Sequence, residues 1–293
     1  MILVKLQGGL GNQMFQYATA RRLAEKHSTI LKLDLTEFES YKLRKYDLHC
    51  FHIWEYLATE SEIDDIVYSH NILNKFKQKV SLKLGFKKYK NSNWIIEKQF
   101  QFDPKILEAP NNVLLYGYWQ SEKYFADISD ILRREFVIKY QQDPLSQKLA
   151  EFIQSTESVS LHVRRTDYVQ NAVTNEMHGT CDQAYYDRCV RYIGDRVSNP
   201  HFFIFSDEPQ WTKDNLKLGF PTTIVDCNDS SRNYEDLRLM SMCKHNIIAN
   251  SSFSWWGAWL NPALNKIVLA PQKWFKDETI NTKDLIPEQW IKI

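Results

Sequence analysis

The chain has 293 residues, 43% hydrophobic and 25% charged, with a formal net charge of +1. This is the composition of a globular protein long enough for two domains, and the small charge argues against a general polyanion-binding surface. No run reaches the roughly 18 consecutive apolar residues of a membrane span, and MILVKLQGGLGNQ at the N-terminus lacks the pattern of a secretory signal.

The five cysteines argue against a metal site and a disulfide framework. None forms a C-x-x-C pair, their number is odd, and their spacings are wide. We therefore expect reduced, mostly buried thiols in a cytosolic protein.

The N-terminal residues predict the start of a parallel α/β sheet. Four elements follow one another: a strand at 2–6, a glycine-rich turn at 7–12, a helix at 13–27 and a strand at 29–35. The turn has Gly9 and Gly11, but Met14 stands where a dinucleotide fingerprint has its third glycine. It is either a plain tight turn or a place where the backbone approaches a ligand.

The middle of the chain is less regular. Seven lysines alternate with apolar residues at 74–90, a pattern typical of a solvated face and also of a segment lying on an anionic membrane. Residues 128–138 predict a helix, and the polar, proline-containing stretch 139–150 predicts a domain boundary. We therefore expect two domains, 1–145 and 146–293.

The C-terminal half predicts a second doubly wound domain, because strands and helices alternate regularly. Predicted strands lie at 158–163, 201–206, 222–226, 246–250 and 266–271, and predicted helices at 182–194, 208–218, 233–245 and 251–261. Both halves are thus Rossmann-like α/β domains, and the cleft between two such domains is the expected ligand site.

Polar residues follow the predicted strands of the second domain, where α/β sheets bind ligands. An arginine near a serine-rich helix start suits a phosphate, since the guanidinium and the helix dipole both favour anions. Neighbours on an extended segment point to opposite sides, so one of Arg164 and Arg165 would face a ligand and the other would pair with a carboxylate. Paired surface arginines are the alternative. The candidates are Arg164, Arg165, Asp167, Ser206, Asp207, Ser251, Ser252 and Phe253.

Other chemistries lack their motifs. No Asp-x-Asp follows a strand and the eight histidines are scattered, so a bound diphosphate would be met by arginine and helix dipole rather than by a metal. We expect no cofactor. The G-x-S-x-G of a serine hydrolase is also absent.

Four motifs, in this order, resemble the α-1,2-fucosyltransferases of glycosyltransferase family 11. They are GGLGNQMFQYA (8–18), HVRRTDY (162–168), FFIFSDEPQW (202–211) and YEDLRLMSMCKHNIIANSSFSWWGAWLN (234–261). The resemblance runs from residue 3 to about residue 275. His162-x-Arg164-Arg165 is also similar to the wider set of α-1,2, α-1,6 and protein O-fucosyltransferases.

The resemblance implies a GT-B fold, with two Rossmann-like domains facing a central cleft. It implies a galactoside 2-α-L-fucosyltransferase, with inverting, metal-independent transfer from GDP-β-L-fucose to a galactose 2-hydroxyl. By motif position, Arg164 would contact the β-phosphate of the donor and Arg165 would support it. Thr166 departs from the glycine of many members, although threonine occurs in the α-1,6 branch. The other implied donor-binding residues are Asn12, His162, Ser206, Asp207, Asp236, Ser251, Ser252 and Phe253.

The implied chemistry is electrostatic stabilisation of the departing GDP by Arg164 and the Ser251–Phe253 turn. A glycosidase needs a general acid to protonate its leaving group, whereas GDP can leave as a phosphate without one. Asp167 is the nearest candidate for a base that deprotonates the acceptor. A salt bridge from Asp167 to an arginine, or a largely dissociative reaction without a strong base, fits equally well.

Two other classes of protein are alternatives. An NAD-dependent oxidoreductase would use Asp34 about 20 residues beyond its glycine loop, but Met14 disrupts the fingerprint. A non-catalytic scaffold would dock through 74–90, with nucleic acid disfavoured by the net charge. We expect a cytoplasmic enzyme of lipopolysaccharide O-antigen synthesis, with peripheral contact at the inner face of a bacterial membrane as a further hypothesis.

Overall fold

The computed structural model describes residues 1–40, 44–67, 93–165, 179–229 and 231–293. These residues form two compact units, Met1–Val137 and Ile138–Ile293. Thr166, the candidate base Asp167 and the lysine-rich segment 74–90 lie outside the described residues, so the predictions made for them stay predictions.

The first unit is built on a four-stranded parallel sheet. Its strands are β1 (Ile2–Lys5), β2 (Leu31–Asp34), β3 (Trp94–Ile96) and β4 (Val113–Tyr116), in the spatial order β2-β1-β4-β3. The α-helices are α1 (Leu10–Lys26), α2 (Thr36–Ser40), α3 (Glu60–Val67) and α4 (Ser129–Glu135). Short 3₁₀ helices occupy Leu48–Cys50, Pro104–Glu108, Glu122–Tyr124 and Ala126–Ile128.

The second unit is built on a six-stranded parallel sheet. Its strands are β5 (Glu157–Val163), β6 (Pro200–Ser206), β7 (Thr222–Val225), β8 (His245–Ile247), β9 (Val268–Ala270) and β10 (Ile291–Lys292). Its α-helices are α5 (Pro144–Ser155), α6 (Gln183–Gly194), α7 (Pro209–Asn215), α8 (Asn233–Met242) and α9 (Ser252–Leu260).

The strand order of the second sheet places a topological switch point at its centre. The order is β10-β9-β8-β5-β6-β7, with every neighbouring pair parallel. The chain therefore winds outward from β5 to β7, crosses to the other side of β5 and winds outward again from β8 to β10. A crevice opens where such a sheet reverses direction, beyond the carboxyl ends of its strands. Here that place lies between β5 and β8.

The sheet of the second unit is buried on both faces, as parallel sheets are. Successive side chains of a strand point to opposite faces. Phe202 and Ile204 of β6 accordingly pack in one apolar cluster with α6, whereas Phe203 and Phe205 pack in another with α5 and α8. This two-sided burial explains why β6 reads as a nearly continuous apolar run.

The helix α9 is anchored by buried tryptophans. Trp255 and Trp256 have no exposed surface, and Trp259 is 5% exposed. The Trp255 indole Nε1 donates to the carbonyl of Leu285 at 2.9 Å. The Trp255 ring also contacts Trp290, with 5.3 Å between centroids. This packing fixes the start of α9 at the switch point.

The polar stretch 139–150, predicted to be the boundary between domains, contains the start of α5. The carboxylate of Asp143 accepts from the backbone N–H groups of Leu145 (2.9 Å) and Ser146 (3.1 Å), and Pro144 is the first helical residue. Aspartate before proline is a helix-start signal that the polar composition obscured. The predicted boundary at 145/146 falls inside α5, which packs on β5 and α8 in the second unit.

The other predicted strands and helices are present with shifted ends. The helix predicted from residue 13 begins at Leu10, because Gly9 is its N-cap. Besides α5 and the 3₁₀ helices, four elements were not predicted from the sequence, namely α2, α3, β3 and β10. They are short, and β10 has two residues, so periodicity gives little signal.

The cysteines are thiols, three of them buried and two partly buried, as predicted. Within the described ranges, no three His, Cys, Asp or Glu side chains gather in a way that could hold a metal ion. Metal independence stays a prediction that a chelator must test. No helix of the described part of the chain combines the length and the apolar character that crossing a bilayer requires.

Candidate functional site

The candidate site lies at the switch point of the second unit, where strand register aligns the predicted residues. Val163 of β5 pairs with Ser206 of β6, so Arg164 and Asp207 follow at the same level. On the other side of β5, Leu161 pairs with Ile247 of β8. The chain beyond β8 leads directly into α9. Residues distant in sequence thus meet at one edge of the sheet.

Asp207 connects the ends of β5 and β6. Its Oδ2 lies 3.3 Å from Nη1 of Arg164, and its Oδ1 accepts from the backbone N–H of Arg165 at 3.0 Å. The sequence predicted a carboxylate partner for one of the two arginines, whereas both have one. Alternation along the chain therefore does not by itself decide which arginine meets a ligand.

Arg165 is held by two side chains of the β6–α7 region. Its Nε lies 3.3 Å from Oε2 of Glu208, and its guanidinium carbon lies 3.7 Å from the ring centroid of Trp211. Such a cation–π contact adds to the ion pair and fixes the plane of the guanidinium. Arg165 therefore joins β5 to α7. Glu208 and Trp211 were missed as partners, although both stand in the quoted motif FFIFSDEPQW.

His162 is a buried, neutral imidazole beside Arg164. Burial lowers its pKa to about 3, with a smaller contribution from the positive charge of Arg164. Its Nδ1 has no hydrogen-bond partner among the residues that the structure describes. Its ring lies 5.8 Å from the ring of Phe253, centroid to centroid. His162 thus connects β5 to the first turn of α9 and offers a ligand a hydrogen bond rather than a charge.

The N-terminus of α9 has no side-chain cap. Ser251 is the N-cap with extended backbone, its side chain makes no capping hydrogen bond, and the first turn contains no acidic residue. The N–H groups of a first helical turn have no partner within the helix and carry the positive end of its dipole. Together with Arg164 at the end of β5, this helix start can bind a phosphate. Ser252 and Phe253 form its first turn.

Asp236 and Ser206 complete the predicted residues of this unit. Asp236, in the first turn of α8, accepts from Nδ2 of Asn228 at 2.8 Å, and burial raises its pKa to about 7. The hydroxyl oxygen of Ser206 accepts from the backbone N–H of Glu208 at 3.0 Å. Ser206 thus shapes the loop after β6. Asn228 is one of the polar residues that follow the predicted strand at 222–226, but its contact with Asp236 was not predicted.

Replacing Asp236 with asparagine is expected to stabilise the unliganded protein at neutral pH. Because the pKa of Asp236 is raised in the folded state, its protonated carboxyl contributes fully to the free energy of unfolding below about pH 4. This contribution is lost as the pH rises through 7. The asparagine can still accept from Asn228 but does not ionise. Urea unfolding should show a gain on the order of 3 kcal/mol at pH 8 that disappears near pH 4. A gain independent of pH would contradict the raised pKa.

Asn12 lies in the first unit, in the first turn of α1. Its Oδ1 accepts from Nε2 of Gln120 at 2.7 Å. Asn12 and Arg164 thus belong to different units. The structure therefore brings together the residues His162, Arg164, Arg165, Ser206, Asp207, Ser251, Ser252 and Phe253 along one edge of the second sheet, with Asp236 on the neighbouring α8.

The model of Glycosyl transferase family 11 matches residues 1–293. The chain belongs to this family. It is 35% identical to the alpha-1,2-colitosyltransferase of Escherichia coli, over 100% of this chain and 99% of the relative. It is 31% identical to the O-antigen biosynthesis glycosyltransferase WbnK of Escherichia coli, over 98% and 99%. The predicted family is therefore confirmed.

A solved structure shows the same fold at low identity. The α-1,6-fucosyltransferase NodZ, co-crystallized with GDP, superposes on this family 11 enzyme with a TM-score of 0.51. The two sequences are 15% identical, and the match covers 89% of this chain and 92% of that one. The predicted α/β fold of the GT-B type, with two parallel-sheet units, is confirmed.

Proposed function

We propose that this enzyme transfers L-fucose from GDP-β-L-fucose, with inversion and without a metal ion, to the 2-hydroxyl of a galactose in a surface glycan. The observation that carries the proposal is Arg164, held by Asp207 at 3.3 Å at the end of β5, whose neighbour β8 leads into the uncapped start of α9. Two relatives support the linkage and the setting, since one is named for α-1,2 transfer and the other for O-antigen biosynthesis.

The chemistry follows from the charge that develops on GDP as the glycosidic bond breaks. Arg164 and the N–H groups of α9 are fixed before the reaction, so they stabilise that charge without reorganisation. His162, neutral at pH 7, adds a hydrogen bond. The other residues assigned to donor binding are Asn12, Arg165, Ser206, Asp207, Asp236, Ser251, Ser252 and Phe253.

The acceptor hydroxyl must lose a proton as it attacks the anomeric carbon. Asp167 remains the candidate base, by its place in the motif HVRRTDY. A largely dissociative reaction needs no strong base, because most bond breaking precedes attack. Asp167→Asn separates the two. A large fall in kcat with unchanged GDP affinity supports the base, and a small fall supports the dissociative route.

Colitose is the second candidate for the transferred sugar, because the 35% identical relative is named a colitosyltransferase. Colitose is L-fucose without its 3-hydroxyl. A site that hydrogen-bonds this hydroxyl rejects the deoxy sugar strongly, whereas an apolar site discriminates weakly. Comparing kcat/KM for GDP-fucose and GDP-colitose therefore identifies the donor.

The testing experiment incubates the enzyme with GDP-fucose and either lactose or N-acetyllactosamine in excess EDTA. We expect a fucosylated product whose NMR spectrum shows an α-1,2 linkage, at a rate unchanged by Mg²⁺ or Mn²⁺. Hydrolysis to free fucose without transfer would keep the donor and reject these acceptors. Neither product nor hydrolysis, with GDP-colitose active in parallel, would reject the fucosyl donor.

A further inference from the structure

The first unit also has a switch point, and an amide pair lies across it. In the order β2-β1-β4-β3, the chain leaves β1 through Gly8 and enters α1, and it leaves β4 toward Gln120. Nε2 of Gln120 donates to Oδ1 of Asn12 at 2.7 Å, although 108 residues separate the two. Gln120 is 8% exposed. This contact connects the ends of β1 and β4 in the same way that Asp207 connects the ends of β5 and β6.

The turn that carries Gln120 is held rigidly by Glu97. Oε2 of Glu97 accepts from the N–H of Tyr118 at 2.7 Å, and Oε1 accepts from the N–H of Trp119 at 3.0 Å. A Cβ on Gly117 would lie 2.3 Å from Cβ of Glu97, so only glycine allows this approach. One partly buried carboxylate thus fixes two consecutive backbone groups immediately before Gln120.

The same turn stores backbone strain. Trp119 has φ +56°, a conformation that bulky side chains rarely adopt. Its side chain is 1% exposed and packs edge-on against Tyr124, with 5.7 Å between centroids. Strain of this kind persists where the surroundings impose it, often at functional sites. Here it places Gln120 against Asn12.

The glycine turn after β1 is shaped around the Asn12 amide. Gly8 has φ +75°, and a Cβ on it would lie 2.7 Å from Nδ2 of Asn12. The amide therefore occupies the space that a side chain at position 8 would take. Because Gln120 donates to Oδ1, the other arm of the Asn12 amide carries its donor group, Nδ2.

We propose that Gln120 is a positioning residue that orients the Asn12 amide so that Nδ2 donates to the nucleotide-sugar donor. This inference rests on the proposed function, in which Asn12 faces the donor. A side-chain amide can rotate by half a turn and exchange its donor and acceptor ends. The Gln120 N–H that donates to Oδ1 of Asn12 leaves Nδ2 as the end of the amide that meets the ligand. Phosphate and sugar oxygens are acceptors, so this orientation suits them.

Gln120→Glu tests the proposal because it reverses the direction of the hydrogen bond to Asn12 with almost no change in side-chain shape. A carboxylate only accepts, so it binds Nδ2 of Asn12 and turns Oδ1 toward the donor. We expect kcat/KM for GDP-fucose to fall roughly 10- to 100-fold, the size of a lost, charge-linked hydrogen bond. Gln99→Glu makes the same charge change at an exposed position of this unit and should leave the rate unchanged.

A double-mutant cycle with Asn12→Ala separates positioning from a general structural role. If Gln120 acts through Asn12, Gln120→Glu changes nothing further once Asn12 is alanine. Equal activity of Gln120→Glu and wild type, or additive losses in the cycle, would overturn the proposal.

Calorimetric titration with GDP of the four proteins of the cycle keeps this test independent of the sugar. These are the wild type, Gln120→Glu, Asn12→Ala and the double variant. If the wild type binds GDP but transfers no fucose, the fucosyl assignment fails, and the cycle in GDP affinity still decides the role of Gln120. Coupled losses of affinity support positioning, and additive or absent losses overturn it. A wild type that neither transfers fucose nor binds GDP overturns both.

Discussion

Replacing Arg164 with alanine is expected to lower the kcat of sugar transfer by roughly 10²–10³, the usual effect of removing one fixed donor to a developing negative charge. Arg164 stands at the end of β5, next to β8, which leads into α9, and Asp207 fixes its direction. The guanidinium acts most strongly when charge accumulates on GDP, so kcat should fall more than donor affinity. Steady-state kinetics at saturating acceptor measure this difference.

Arg196→Ala is the matched control for Arg164→Ala. Arg196 is exposed, lies over the Tyr192 ring at 3.7 Å and precedes β6, at the opposite edge of the same sheet. We expect no change in kcat for this control. Arg164→Lys should recover only part of the rate, because an ammonium lacks the bidentate geometry of a guanidinium. An Arg164→Ala enzyme with wild-type kcat would contradict the assignment of Arg164 to the phosphate of the donor.

Replacing Trp255 with alanine is expected to lower the free energy of unfolding by about 3–5 kcal/mol, the range for losing a fully buried large aromatic side chain. Trp255 has no exposed surface, contacts Trp256 and Trp290 and donates to the Leu285 carbonyl. Alanine leaves a cavity and a carbonyl without that donor. Urea unfolding followed by circular dichroism and fluorescence measures the loss.

Two substitutions separate the causes of that destabilisation. Trp54→Ala removes the same side chain from a position that is 57% exposed and should change stability by less than about 1 kcal/mol. Trp255→Phe keeps an aromatic ring but removes the Nε1 hydrogen bond. Its loss of unfolding free energy should therefore lie between those of Trp54→Ala and Trp255→Ala. A small loss for Trp255→Ala would mean that α9 is anchored by its other tryptophans.

The family, the fold class and most elements of the second unit could be predicted from the amino-acid sequence. The strand β6 is an apolar run buried on both faces, and the helix α6 before it buries one apolar side, so local pattern and tertiary structure agree there. Arg164 and Ser251 could be predicted because they directly follow strands of a parallel sheet, and the carboxyl ends of such strands lie at one edge of the sheet. The start of α5 was missed, although Asp143 and Pro144 signal it, because the polar composition of 139–150 indicated a domain boundary instead.

The contacts between side chains at the strand ends could be seen only in the folded chain. Asp207 proved to contact both arginines, Trp211 proved to hold Arg165, and Gln120 proved to contact Asn12 across 108 residues. A parallel sheet brings strands together through long crossover connections, so the partner of a strand-end residue depends on strand order and register. Those are set by packing of the whole unit, and no local stretch of sequence encodes them.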